Sequence, residues 1–411
     1  MTLTYQETVP VSTSDDPFTP IISRFLRIES IQWGDKRANY LVRYQGRLYE
    51  AAEQAYDRLA SALRSLDVTP LFRNEAGKHA ILLVQGVVKP RPSNPWTNLA
   101  LFLVTVLSVL FAGTMSQYEG PLSTDLRVIG PHLAPALISG LEFSTSLLLI
   151  LLAHEFGHYL AARRHHTAVT LPYFLPFPYP FSPFGTMGAF IQLKEPPKNK
   201  RILLDIGLAG PLAGLVVAIP VLFLGLSLSE INQLPGVVSR GNAFSLEGNS
   251  ILYLLAKYMV FGEWLPKPDS FGGLNPLIYW IRYFFTGRPV PLGGMDVLLH
   301  PIAWAGWAGL LVTALNLIPA GQLDGGHILY VLLGRKVRAV LPVVMVVLII
   351  LGLVWPGWWL WAFLIFFLGR VHAEPLDQIT QLDQNRIALA LVGLIVFILV
   401  FTPIPLSLFG A

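Results

Sequence analysis

The sequence predicts a polytopic α-helical membrane protein, with about seven transmembrane helices and a small soluble α+β domain at its amino terminus. Three observations carry this. Hydrophobic residues make up 53% of the 411-residue chain and charged residues 13%, a balance foreign to a soluble globule. Beyond residue 95, apolar runs long enough for a hydrocarbon core of roughly 30 Å recur. Basic residues gather at the ends of those runs.

Residues 1–20, rich in Ser, Thr, Pro and acids, are read as a mobile tail. Residues 21–90 form the soluble domain, in the order β-β-α-β-β. Arg24 to Trp33 and Asn39 to Tyr44 alternate like strands about a turn at Gly34-Asp35, and Ala51 to Leu66 has Ala52, Tyr56, Leu59, Ala60 and Leu63 at helical spacing. Leu71-Phe72 and His79 to Val88 then flank the turn Asn74-Glu75-Ala76-Gly77. Its histidine, His79, is read as an ordinary strand residue, and Pro90 to Pro95 as a stiff linker into a membrane domain over residues 91–411.

The expected spans are Leu99 to Met115, Leu133 to Ala162, Leu203 to Leu226, Leu299 to Ile318, Val340 to Val354, Trp358 to Leu368 and Ile387 to Phe401. Lys89 and Arg91 precede the first, Arg163 and Arg164 follow the second, Lys198, Lys200 and Arg201 precede the third, and Arg335, Lys336 and Arg338 precede the fifth. All lie on one side if the amino terminus is cytoplasmic, which puts the carboxyl terminus outside. Arg370 agrees; Arg127 and the scattered basic residues between Arg240 and Arg288 oppose weakly.

A net charge of +4, spent on those flanks, gives no nucleic-acid stripe. The absence of cysteine excludes disulfides, thiolate ligands and cysteine nucleophiles, leaving His and carboxylate as strong metal ligands. The polar, acidic opening is unlike a signal or transit peptide, so a prokaryotic plasma membrane is expected.

Between the second and third spans, Leu171 to Gly185 (LPYFLPFPYPFSPFG) holds five prolines and six aromatics, which excludes a regular helix. It is placed at the cytoplasmic interface or dipping into the protein. Gly185 to Lys194 reads as extended, an edge on which a substrate chain can add a strand or else a structural loop. Gly207, Gly210, Ala213 and Gly214 in the third span form a close-packing face, and the polar segment 227–298 carries an amphipathic piece near Leu252 to Val260 but no assignable chemistry.

The second span ends in His154-Glu155-Phe156-Gly157-His158. On a helix the two histidines share a face and can reach one ion, while Glu155 stands about 100° round from His154, placed to act on water rather than to bind the metal. Such groups in an apolar span are penalised by several kcal/mol each, roughly, unless they bind something or line a wet cavity, so a chance pairing is disfavoured. Glu142, about three turns away, is read as pairing with a neighbouring helix, and His165 and His166 as solvated.

Two histidines leave tetrahedral zinc short of a protein ligand. The glycine and histidine of a three-histidine site would fall on Ala161 and Arg164, so the donor must lie elsewhere. Asp324, in the stretch Asn316 to Gly326 (NLIPAGQLDGG), is the best candidate, or else a cap for a helix starting at Gly325; His327 ranks below it. Asn316 is a candidate oxyanion donor or a tie between helix ends.

HEFGH in one span with N-x-x-P-x-x-x-L-D-G-G in a later one resembles the site-2 protease family of intramembrane zinc metalloproteases. The runs Gly185 to Phe190 (GTMGAF) and Leu208 to Gly214 (LAGPLAG) are similar to its branch that includes chloroplast homologues with a soluble amino-terminal domain. The likeness covers roughly residues 95–375, with the metal-site core at about 133–335. It implies Zn2+ held by His154, His158 and Asp324, Glu155 as base, and hydrolysis of transmembrane segments of protein substrates near the cytoplasmic face. A metal transporter is the rival from another class, and would repeat ligands along a path. A scaffold that keeps zinc without catalysis is a further rival.

Overall fold

The computed structural model describes residues 16–35, 38–75, 77–90, 92–121, 123, 125–236, 244–368 and 374–409. Most of the tail expected over 1–20, and Arg240 and Arg370, lie outside the described residues. The chain divides into two units: Met1–Pro92 with Leu193–Leu203 and Ala373–Arg386, and Ser93–Gln192 with Leu204–His372 and Ile387–Ala411.

In the first unit, α1 (Thr19–Ile22), β1 (Leu26–Trp33), β2 (Val42–Leu48), α2 (Ala52–Leu63), β3 (Val68–Glu75) and β4 (Lys78–Gln85) follow in order. The strands form an antiparallel sheet ordered β1-β2-β4-β3. One face of α2, Ala55, Tyr56, Leu59 and Leu63, packs with Leu26, Val42, Tyr44, Phe72, Ile81 and Leu83 into a closed core. Each such large side chain contributes roughly 1.5–3 kcal/mol by leaving water.

The far segment 374–380 finishes that core, although a continuous domain over 21–90 would not include it. The Phe72 N–H donates to the Leu376 carbonyl and the Gln378 N–H to the Phe72 carbonyl, which covers the edge of β3. Arg73 donates to the carbonyls of Phe72 (2.8 Å), Pro375 (3.2 Å) and Leu376 (2.8 Å). The fully buried Asp377 accepts from the Ile379 and Thr380 N–H groups. His79 sits in β4 and accepts from the Leu48 N–H.

The second unit contains α3 (Pro95–Ser116), α4 (Leu126–Arg164), β5 (Tyr173–Pro176), β6 (Thr186–Phe190), α5 (Lys200–Ser227, its first turn in the first unit), β7 (Glu230–Gln233), β8 (Phe244–Glu247), α6 (Ile251–Phe261), α7 (Pro276–Thr286), β9 (Met295–Leu298), α8 (Pro301–Asn316), α9 (Asp324–Leu333), α10 (Val340–Gly352), α11 (Gly357–Leu368), α12 (Gln384–Val400) and β10 (Leu406–Phe409). Helices fall on each apolar run, but among the described residues three, in α3, α4 and α5, are long and apolar enough to cross a membrane. α8, α10, α11 and α12 have 16, 13, 12 and 17 residues. At 1.5 Å per residue they reach about 18–26 Å, short of a hydrocarbon core. The expected count of seven is therefore not confirmed by length: α8 stops at Asn316, and the runs Val340 to Val354 and Trp358 to Leu368 fold as separate short helices on either side of Pro356. α4 is longer than expected: Asp125 caps it through the Arg127 N–H at 2.9 Å, and neither Pro131 nor Pro135 ends it.

α8 is the buried axis, with Ala303, Ala305, Gly306, Ala308, Gly309 and Ala314 letting neighbours approach. The proline-rich stretch dips into the protein along α3. Asn98 donates to the carbonyls of Leu171 (2.9 Å) and Pro172 (3.0 Å), and ten residues further along α3 Ser108 donates to the Gly185 carbonyl at 2.6 Å. The β5-β6 hairpin thus climbs about 15 Å of helix. Its strands satisfy each other's backbone, Phe174 opposite Ala189, and the Phe174 ring meets Phe102 at 5.0 Å. Irregular backbone at membrane depth requires such protein partners. In the segment 227–298, β7 pairs with β9, β8 pairs with the carboxyl-terminal β10, and α6 covers the amphipathic piece.

Candidate metal centre

Near the carboxyl end of α4, His154 and His158 lie one turn apart, 2% and 5% exposed. Their Nε2 atoms are 3.3 Å from each other. Asp324 Oδ2 lies 3.5 Å from His154 Nε2 and 3.3 Å from His158 Nε2. Ligands at 2.0–2.1 Å on a tetrahedral ion stand about 3.3–3.4 Å apart. The three donors therefore fit a tetrahedral zinc without rearrangement, and among the described residues they form the one group of three or more His and carboxylate side chains close enough to share a metal ion.

Asp324 arrives through the turn after α8. It is the first residue of α9, whose cap is Leu323 with no side-chain bond, so it does not cap a helix at Gly325. A Cβ on Gly325 would fall 1.9 Å from the Leu317 carbonyl oxygen, so only glycine lets the turn fold back this closely. His327 is not in the ligand group; its Cβ lies against Gly207 of α5. Asn316, the last residue of α8, brings its amide Nδ2 to 3.3 Å from His154 Nε2.

α5 closes the other side. The Ile206 carbonyl accepts from His158 Nδ1 at 2.7 Å; a carbonyl only accepts, so Nδ1 carries a proton and Nε2 is the ring nitrogen that faces the centre. A Cβ on Gly210 would lie 2.0 Å from His158 Nε2. The small-residue face read in the sequence thus leaves room for the imidazoles. Glu155 is 4% exposed beside them, faced by the Ile191 backbone amide just past β6, and its Oε2 makes no hydrogen bond. An unsatisfied buried carboxylate oxygen is costly, and a water at the centre would satisfy it.

Ile206 and Ile191 act here through backbone groups, which carry no residue signature, whereas Gly210 is legible in the sequence only as part of a packing face. Glu142 faces His300, which caps α8, at 3.7 Å. His165 is a correction: it is not merely solvated but pairs with Asp205 of α5 at 2.9 Å, while His166 is exposed.

Apolar helices that bury two imidazoles and a carboxylate around one point define a candidate membrane metalloenzyme. Residues 142–353 match the model of peptidase family M50, more than half of the chain, and the chain belongs to that family. This agrees with the site-2 protease resemblance of its motifs. It is similar to the probable zinc metalloprotease EGY1, chloroplastic, of Arabidopsis thaliana, 26% identical over 95% of this chain and 68% of the relative. It is also similar to the protein of the same name in Oryza sativa subsp. japonica (29%; 79% of this chain, 53% of the relative) and to the probable zinc metalloprotease EGY2, chloroplastic, of Arabidopsis thaliana (30%; 77% and 50%). The chain thus spans two thirds of the first relative and about half of the others. By name they are chloroplast proteins, a compartment other than the prokaryotic plasma membrane expected from the sequence. No solved structure matches the chain.

Proposed function

We propose that this chain is a zinc endopeptidase that hydrolyses peptide bonds in transmembrane segments of membrane proteins, near the cytoplasmic face, in regulated intramembrane proteolysis. The observation that carries it is the triangle of His154, His158 and Asp324 donors, 3.3–3.5 Å on a side within apolar helices. Family membership and the names of the relatives support zinc and proteolysis.

In this reading His154 and His158 present Nε2 and Asp324 presents Oδ2 to the ion, with the Ile206 carbonyl fixing the His158 ring. When bound, zinc supplies a Lewis acid that makes water acidic enough to attack at neutral pH. Glu155 takes the proton from the attacking water and returns it to the leaving amine, which suits a carboxylate with one oxygen unsatisfied. Asn316 donates its amide to the oxyanion that develops on the scissile carbonyl. Among the described residues β6 has a partner strand on one edge only, β5, and its other edge holds the unwound substrate as an added strand. Basic flanks orient the amino terminus to the cytoplasm.

The transporter reading lacks support, since the ligand group among the described residues is a single cluster and not a path. The test is zinc content and cleavage of a model transmembrane substrate by the purified protein. Glu155→Gln should keep one equivalent of zinc and lose cleavage by about 100-fold or more. Asp324→Ala should lose both. Cleavage that survives Glu155→Gln removes the assigned base.

A further inference from the structure

A second site lies at the other end of α8. A cavity of about 620 Å³ is walled by Tyr179, Leu246, Trp304 and Leu406, and two carboxylates, Glu247 and Asp296, reach its lining. Behind them lies Lys257, fully buried, its Nζ 3.5 Å from Asp296 Oδ1 and 4.6 Å from the centre of the Tyr253 ring. Tyr253 donates its hydroxyl to Glu247 Oε1 at 2.8 Å, and the Tyr283 hydroxyl accepts from Asn249 at 3.4 Å. The charges do not balance: two carboxylates face one ammonium among the described residues. Asp296 is 5% exposed and lines the cavity, and among the described residues its hydrogen bonds with Lys257 and with the Val297 N–H both fall on Oδ1. Burial and the Asp296 charge push the Glu247 carboxyl up to about 7, against the pull of Lys257, as expected where a counter-cation is wanting.

The β5-β6 hairpin joins this cavity to the metal centre. Tyr179, in its connecting loop, lines the cavity, while the amide of Ile191, just past β6, faces Glu155. Along α8, Trp304 at the cavity and Asn316 at the centre are twelve residues apart, about 18 Å, which an extended strand covers in five or six residues. We propose that the cavity binds the basic side chain of a substrate, a Lys or Arg five or six residues from the scissile bond, its stem against the apolar walls and its cationic head on Glu247 and Asp296. This rests on the endopeptidase reading and names a class of substrate for it.

The full chain carrying Glu155→Gln, in lipid nanodiscs, separates the two ideas because binding is read without turnover. A fluorescent transmembrane peptide with Arg at that position is compared with one carrying citrulline, its neutral isostere. The Arg peptide should bind roughly tenfold more tightly or better, as for hydrogen bonds to charged groups. The advantage should shrink as pH falls below 7 and vanish when Glu247→Gln is added. Equal binding of the two peptides, or no binding of either, overturns the proposal with the cavity unmutated, whatever the folding of the second variant. An advantage that survives Glu247→Gln and Asp296→Asn overturns it as well. Charge-dependent binding with no cleavage by the unmutated protein would instead sink the endopeptidase reading and leave the cavity's cation preference standing.

Discussion

Gly210→Ala tests whether α5 is the wall of the metal centre. The new Cβ would stand 2.0 Å from His158 Nε2 and 2.3 Å from its Cδ2, where non-bonded heavy atoms need about 3.5 Å. The ring must then move by roughly 1.5 Å, several times the tolerance of about 0.2 Å on a metal-ligand distance. It cannot swing freely, because the Ile206 carbonyl that holds Nδ1 belongs to the same helix as the new methyl. Ala is also the better helix former by about 1 kcal/mol, so a defect does not come from lost helix propensity in α5. Zinc affinity, measured by chelator competition on the purified protein, should fall by at least about 100-fold, as when outer partners of a ligand are lost. Gly214→Ala is the graded control: its Cβ would lie 3.1 Å from His154 Nδ1, tight without collision, so the loss should stay within about tenfold. If Gly210→Ala holds one equivalent of zinc at unaltered affinity, this packing of α5 on the imidazoles is wrong.

The remaining predictions address charge and the first unit. Glu247 has its carboxyl raised from 4.5 to about 7, so between those values the folded chain binds a proton that the unfolded chain does not. Stability should therefore decline as pH rises from about 4.5 to 7 and level off above; thermal midpoints of Glu247→Gln should lack that slope, and an unchanged slope assigns it elsewhere. Arg73→Ala removes the donor to three carbonyls and should cost about 2–4 kcal/mol in denaturant unfolding. A change below 0.5 kcal/mol, roughly the noise of surface substitutions, would mean that segment 374–380 does not need this anchor.

What was legible in the sequence is what repeats or costs energy locally. His154 and His158 fall one helical turn apart, so their meeting needs no tertiary information, and three such polar groups in an apolar run mark themselves by their desolvation cost. Asp324 is legible only because two histidines leave zinc a protein ligand short and because its stretch carries the L-D-G-G motif, neither of which says how the backbone brings it to the histidines. The rest depends on contacts remote in the chain. Residues 376–378 join the edge of β3 some 300 positions away with no periodic pattern, and Glu247, Lys257 and Asp296 share no spacing that a helix or strand would impose. The span count stays unconfirmed for a related reason: an apolar run gives composition, whereas the length of helix it forms is set by the fold, and α8, α10, α11 and α12 come out at 16, 13, 12 and 17 residues.

The hairpin gives these separate features a common logic. A transmembrane helix hides its carbonyls in its own hydrogen bonds, and lipid offers no replacement once they open, each bare group costing several kcal/mol, roughly. The proposed hydrolysis at this depth would therefore need a protein edge that takes over the substrate's backbone before the chemistry begins. β5 and β6 bring such an edge along α3, with the Ile191 amide facing Glu155 at one end and Tyr179 at the acidic cavity at the other. An edge strand reads backbone and accepts almost any sequence, so selectivity must come from its ends. In the proposed reading the requirement is geometric at the centre and one of charge at the cavity. If the proposed function holds, pairing the two would let a chain that cuts by shape choose its substrates by a basic residue about 18 Å away along the same axis.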